Sequence, residues 1–192
     1  MKSVRRVVTG FLNGKAVIAS DVEVPELSLA LAGGVSTVRL WGAATPPAVP
    51  NSGEPALAPK FSPPPGGYHF SIFSVPPMHE VVTAEPPGDI GKAMEELERE
   101  VPGLLELMDP DVPGMHATTS IDFVVVLSGV VTLELDSGDV TVLHAGDTVI
   151  QNGVRHRWLN NGAERAWVAA VVLGACSQPG SACVMRRENR TL

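Results

Sequence analysis

Met115-His116-Ala117-Thr118-Thr119-Ser120-Ile121-Asp122, running into Phe123-Val124-Val125-Val126-Leu127-Ser128-Gly129, is the first of two stretches that fix the architecture of this chain. The second is Gly146-Asp147-Thr148-Val149-Ile150-Gln151-Asn152-Gly153-Val154-Arg155-His156-Arg157-Trp158-Leu159-Asn160. Each sets one histidine at the end of a strand-like run, and each carries the glycine punctuation of tight β turns. From 120 onward the pattern is nearly continuous β. Strands are expected at 121–127, 130–135, 140–143, 147–150, 156–159 and 165–173. They are broken at Ser128-Gly129, Asp136-Ser137-Gly138, Ala145-Gly146, Asn152-Gly153 and Asn160-Asn161-Gly162. Short strands at this spacing predict an antiparallel sandwich or barrel.

Working outward, 4–9 and 15–20 read as two strands around Asn13-Gly14, and 35–41 as another. Residues 42–67 form a Pro/Ala/Ser/Gly-rich stretch ending in Pro63-Pro64-Pro65-Gly66-Gly67, expected as an extended surface loop. Tyr68 to Val75 alternates as a strand stopped by Pro76-Pro77. Residues 90–108 have helical spacing, with Ile90, Met94, Leu97, Val101, Leu104 and Leu105 near one face. Asp89 is a cap candidate, and Pro102 a point of kink or division. The loop and this inserted helix are candidate lids. The domain reading is 1–67 as N-terminal strands and Pro-rich loop packing on the barrel, 68–175 as the β-barrel with its inserted helix, and 176–192 as a tail.

Composition narrows the function classes. The chain has 192 residues, 44% hydrophobic and 5% aromatic, with a formal net charge of −7. That size supports one domain with a substantial core. The acidic balance argues against a nucleic-acid partner, and the basic pairs Arg5-Arg6 and Arg186-Arg187 are expected to be solvated. No apolar run reaches the ~18 residues of a membrane span, and the N-terminus lacks a signal h-region, so a soluble, cytoplasmic protein is expected. The two cysteines, Cys176 and Cys183, are expected as free thiols, with a small disulfide-closed tail loop as the alternative.

The two opening stretches, with the punctuated strands between them, resemble the motifs of the cupin superfamily over about 114–173. Gly146, Gly153, His156 and Asn160 match its second motif, with Gln151 where proline is usual. His116 and Gly129 match its first motif. There Thr118 stands in place of a second histidine and Asp122 in place of glutamate. The resemblance is to a subgroup of small, single-domain cupins, and the N-terminal Arg6-Val7-Val8-Thr9-Gly10 resembles the start of the same subgroup. It implies an all-β, cupin-type jelly-roll β-barrel, a homodimer, and a divalent metal in the barrel mouth.

The residues give a parallel argument. His116, Thr118 and Asp122 share strand parity, as do His156 and Trp158. If the two strands face each other inside a barrel, His116, His156 and Asp122 converge as metal ligands, a set that suits Fe, Mn, Ni or Zn. Asp122 and Gln151 are the candidate catalytic residues, the first as a base and the second as a hydrogen-bonding partner. Thr118, Trp158, Tyr68 and Phe70 are candidate substrate-pocket residues; for the three aromatics the alternative is core packing. Asp122 paired with Arg155 or Arg157 would be a purely structural carboxylate. His69 is undecided between faces, while His79 and His144 are expected on the surface. The expected function is a metal-dependent small-molecule enzyme (dioxygenase, decarboxylase, isomerase or lyase) acting on an organic acid or an aromatic or polyketide-like metabolite. The alternative is a non-catalytic small-ligand binder without metal.

Overall fold

In the computed structural model, which describes residues 2–29, 31, 33–54, 60–83 and 88–177, the strand-forming runs fold into two facing sheets and an outlying hairpin. The hairpin pairs β1 (Ser3–Leu12) with β2 (Lys15–Pro25). Both residues of its Asn13-Gly14 turn have positive φ, which is why that dipeptide reads as a hairpin in sequence. β3 (Leu27–Leu29) and β4 (Val35–Ala43) follow, then β5 (Tyr68–Val75). Two helices come next, α1 (Met78–Thr83) and α2 (Ile90–Glu100). The remaining strands are β6 (Ser120–Ser128), β7 (Val130–Leu135), β8 (Val140–His144), β9 (Thr148–Gln151), β10 (His156–Leu159) and β11 (Ala166–Gly174).

The larger sheet has the order β3-β4-β5-β11-β6-β9 and the smaller one β10-β7-β8, with every pairing antiparallel. Alternation along β11 shows how the core is built. Ala166, Val168 and Ala170 point inward with Val124 and Val126 of β6, against Val131, Leu133 and Leu143 of the smaller sheet. Trp167 and Ala169 point outward onto Val38, Leu40 and Ile72, where Val4 and Val24 of the hairpin cover them. Stretch 1–67 therefore supplies the hairpin that packs outside the barrel and also β4, a full member of the barrel's own sheet.

Three expectations change. The inserted helix stops at Glu100 rather than running to 108. Val101, which precedes Pro102, has left helical geometry, and a short 3-10 turn takes over at Leu105–Leu107. Asp89 does cap the helix, accepting from the Lys92 amide at 3.0 Å. Within α2 only Leu97 is buried, so the apolar face is narrower than its spacing suggests; Ile90 and Met94 are exposed. α1, between Pro77 and Ala84, is a second helix that the sequence does not announce. Finally, Cys176 is disulfide-bonded, which overturns the free-thiol expectation. Cys183, Arg186 and Arg187 lie outside the described residues.

The Pro-rich segment is tied down where it is described. Phe61 N donates to Pro102 O at 2.8 Å, and Gly66 and Gly67 exchange backbone bonds with Gly174. Gly174 has to be glycine, because a Cβ there would lie 2.0 Å from Pro64 O. No helix among the described residues is long and apolar enough to cross a membrane.

Candidate functional site

The two histidines singled out in sequence meet. His116 lies before β6 and His156 opens β10, and the two form an antiparallel bridge. Their ring centroids are 4.5 Å apart. Each ring Nδ1 lies close to a backbone carbonyl two residues upstream, Gly114 O at 3.0 Å for His116 and Val154 O at 2.9 Å for His156. A carbonyl only accepts, so Nδ1 carries the proton and the Nε2 lone pair is left bare. Burial is the main force lowering both imidazole pKa values; a carbonyl hydrogen bond opposes it in each, and His156 lowers His116 further. Both rings are therefore neutral near pH 7, the form in which histidine binds a cation.

Asp122 lies on the inner face of β6 and is 8% exposed. Burial raises its carboxyl pKa, opposed by the Ser120 hydroxyl and by His116. Ser120 Oγ donates to Asp122 Oδ1 at 2.6 Å and lies 2.7 Å from Thr118 Oγ1, so three side chains of one parity form a short polar relay. Arg155 pairs instead with Asp109, and Arg157 with Glu134, which removes the purely structural explanation for Asp122. Across the sheet, His69, Val172, Asp122 and Gln151 occupy one continuous rung through β5, β11, β6 and β9. Residues directly opposite in such a ladder share a face, so His69, Asp122 and Gln151 all look inward.

That rung decides several sequence expectations. Tyr68 and Phe70, expected as pocket residues, flank His69 and so fall on the opposite, outer face; strand alternation carries them away from the histidine pair. Trp158 is inward beside His156, edge-on at 5.9 Å, and packs against Phe73 at the core boundary. Thr118 is buried in the relay. Asn160 is a structural clamp, donating to Val75 O and Glu164 O. His79 and His144 are exposed, as expected.

Sequence reasoning did not assign three neighbours of the site. Ser120 shares the parity of Asp122, and that parity was the available signal. His69 needed the β5–β11 register. Phe61 needed the course of the Pro-rich loop, which brings its ring 6.1 Å from His116 and 6.0 Å from His69, centroid to centroid. Among the described residues no three His, Cys, Asp or Glu side chains converge closely enough to hold a metal ion. The expected His116–His156–Asp122 set is thus a pair of rings with a nearby carboxyl group that Ser120 already engages.

Residues 104–172 match the family model described as a cupin domain. The chain is 42% identical over 65 residues to "Phomopsin biosynthesis cluster protein C'" of Diaporthe leptostromiformis, a match covering 34% of each protein. It is 37% identical over 46 residues to a cupin-domain-containing oxidoreductase of Aspergillus ruber, covering 24% of this chain and 23% of that one. The chain thus spans about a third or less of the length of these curated relatives. Among solved structures, a cupin 2 conserved barrel domain protein from Salinispora arenicola aligns at 20% identity and a TM-score of 0.40, covering 77% of this chain and 82% of that one.

Proposed function

We propose, from the premise that the chain carries a cupin domain over residues 104–172, that it is a small-molecule enzyme whose barrel mouth holds a divalent transition metal on His116 and His156. The observation that carries this reading is the pair of neutral imidazoles, His156 buried and His116 half-buried, with both Nδ1 atoms tied to carbonyls. Tying Nδ1 fixes the ring orientation and raises the donor strength of Nε2. Two imidazole donors suit Fe, Mn, Ni or Zn and leave positions open for substrate. When bound, the metal supplies Lewis-acid polarisation of a substrate oxygen or a redox centre.

The chain's own groups do the rest. Asp122, with its pKa raised by burial, is the group beside the rings able to take a proton from substrate. Ser120 and Thr118 hold its orientation through the hydroxyl relay. Phe61 and Trp158 flank the rings and limit access of water. The substrate class is a small organic acid or an aromatic or polyketide-like metabolite. The relatives described as an oxidoreductase and as biosynthesis-cluster proteins support small-molecule chemistry. A homodimer belongs to the same reading, supported by the apolar residues left exposed on the outer face of the larger sheet.

The test is metal analysis of protein purified without added metal salts. A stoichiometric first-row metal that disappears in His116→Ala and His156→Ala is the expected result. No metal in the wild-type protein after incubation with Fe(II), Mn, Ni and Zn salts, each in turn, overturns the reading. The alternative, a binder without metal, is favoured by one observation: Ser120 already satisfies an oxygen of Asp122, so the polar set stands without a cation.

A further inference from the structure

Gln151 carries a buried amide donor that no described side chain or backbone group accepts from. The residue is 4% exposed, and among the described residues its Nε2 has no hydrogen-bond partner. It ends β9 directly opposite Asp122, on the inward face of the rung that also holds His69. It also stands just before the Asn152-Gly153 turn, where the resembled motif has proline, a residue with no side-chain donor. An unpaired buried N–H is unfavourable to folding, and native proteins rarely keep one without a partner from outside the chain.

The surroundings narrow that partner. Nε2 donates, so the partner presents an acceptor. Asp122 occupies the same rung, and its carboxylate disfavours a second negative charge there. A neutral carbonyl therefore fits better than a carboxylate. At the other end of that rung from Gln151, the Phe61 ring lies beside His69 and His116 and supplies a flat apolar wall, which suits a planar, conjugated body reaching across the mouth.

We infer that Gln151 is the ligand-recognising residue of the mouth, donating through Nε2 to the carbonyl oxygen of a planar, conjugated ketone. This deepens the reading of the mouth as a small-molecule site and rests on it, but it does not rest on the metal.

The test uses acetophenone and benzoate, which share a ring and differ in carbonyl against carboxylate. Both are titrated calorimetrically into full-length protein dialysed against chelator, as wild type and as Gln151→Leu. Acetophenone is expected to bind the wild type, and to bind more tightly than benzoate. It is expected to bind Gln151→Leu about tenfold more weakly, the loss typical of one buried hydrogen bond. Equal acetophenone affinity in the two proteins, tighter binding of benzoate, or no binding of acetophenone to the wild type overturns the inference.

Thermal melting without ligand is the second readout. Replacing an orphaned donor by an apolar side chain should leave the melting temperature unchanged or raise it. A clear drop would mean that Nε2 has a structural partner, and would also overturn the inference. Metal content separates the two readings. Gln151→Leu should keep whatever metal the wild type holds, whereas the metal reading stands or falls with His116→Ala and His156→Ala.

Discussion

His116 and His156 exchange both of their backbone hydrogen bonds, each amide donating to the other's carbonyl at 2.9 Å. Residues directly opposite in an antiparallel ladder project their side chains to the same face. The 4.5 Å between ring centroids is thus set by main-chain pairing and does not depend on a bound cation to gather the rings. The pair is preorganised, so losing either ring removes half of the protein's donors. His156→Ala should weaken binding of added Zn or Ni by at least ~100-fold, read by competition with a chromophoric chelator. Circular dichroism should remain that of the wild type. Unchanged affinity in both alanine variants would place the metal elsewhere.

Asp122 tests which role the carboxyl group has. Asparagine still accepts from Ser120 but carries no charge and takes no proton. Asp122→Asn should therefore fold and, on the proposed two-histidine reading, bind metal as the wild type does. Asp122 raises the pKa of His116, so in metal-free protein removing that charge should lower the His116 pKa still further. NMR titration of the imidazole protons reads the shift. Loss of metal in Asp122→Asn would restore the carboxylate as a third ligand.

Most of the barrel was legible because its strands are local patterns. Valine-rich runs with Gly and Asn-Gly breaks give the positions of β6 to β11 within a residue or two. Parity alone placed His116, Thr118 and Asp122 on one side. What sequence could not supply was which face of β5 looks inward. The alternation Tyr68, Phe70, Ile72 against His69, Ser71, Phe73 sets a bulky apolar residue on each side, Ile72 and Phe73, because both faces of that strand are covered along much of its length. Only the register onto β11 assigns His69 to the interior and Phe70 to the exterior. The end of α2 was ambiguous for a different reason: Leu104 and Leu105 continue the helical spacing through a segment that Pro102 has already broken.

His69 predicts a pH dependence. It is 9% exposed, and burial lowers its pKa from 6.5 to about 4, despite the hydrogen bond between Nε2 and Phe61 O. Above pH 6.5 the ring is neutral in both folded and unfolded chains, and stability is complete. As pH falls from 6.5 towards 4, the unfolded chain takes up the proton and the folded one resists it, so stability falls. The gap corresponds to roughly 3 kcal/mol lost across that window. His69→Gln keeps an amide donor near Phe61 O and cannot titrate. Urea unfolding of this variant should therefore show a shallower loss between pH 6.5 and 4 than the wild type. Parallel slopes would mean that His69 takes up its proton as readily in the folded protein as in the unfolded chain.

Gly129 predicts a backbone cost. Its φ is +79°, and a Cβ there would lie 2.8 Å from Ala166 Cα. The turn between β6 and β7 thus presses against the first residue of β11, and the left-handed conformation alone disfavours any L side chain. Gly129→Ala should destabilise by about 2 kcal/mol or more. The shift of the urea midpoint at constant slope is the measurement. Gly138→Ala is the internal control: its φ is also positive, but a Cβ there meets nothing within 4 Å, so it should cost less.

One register step from the polar rung, the outer face of the same four strands carries an apolar rung: Phe70, Val171, Phe123 and Ile150. Phe70, Phe123 and Ile150 are 37%, 47% and 52% exposed, and the hairpin that covers Trp167 and Ala169 leaves them open. A contiguous apolar row on a charged protein suits an interaction surface, and on the proposed homodimer reading a second copy of the chain covers it with a self-complementary contact. Sedimentation should show a dimer for the wild type. Phe123→Glu would set a charge in the middle of that row on both copies, and should give a folded monomer. A wild-type chain that sediments as a monomer at tens of micromolar would show that this row is not a homodimer interface.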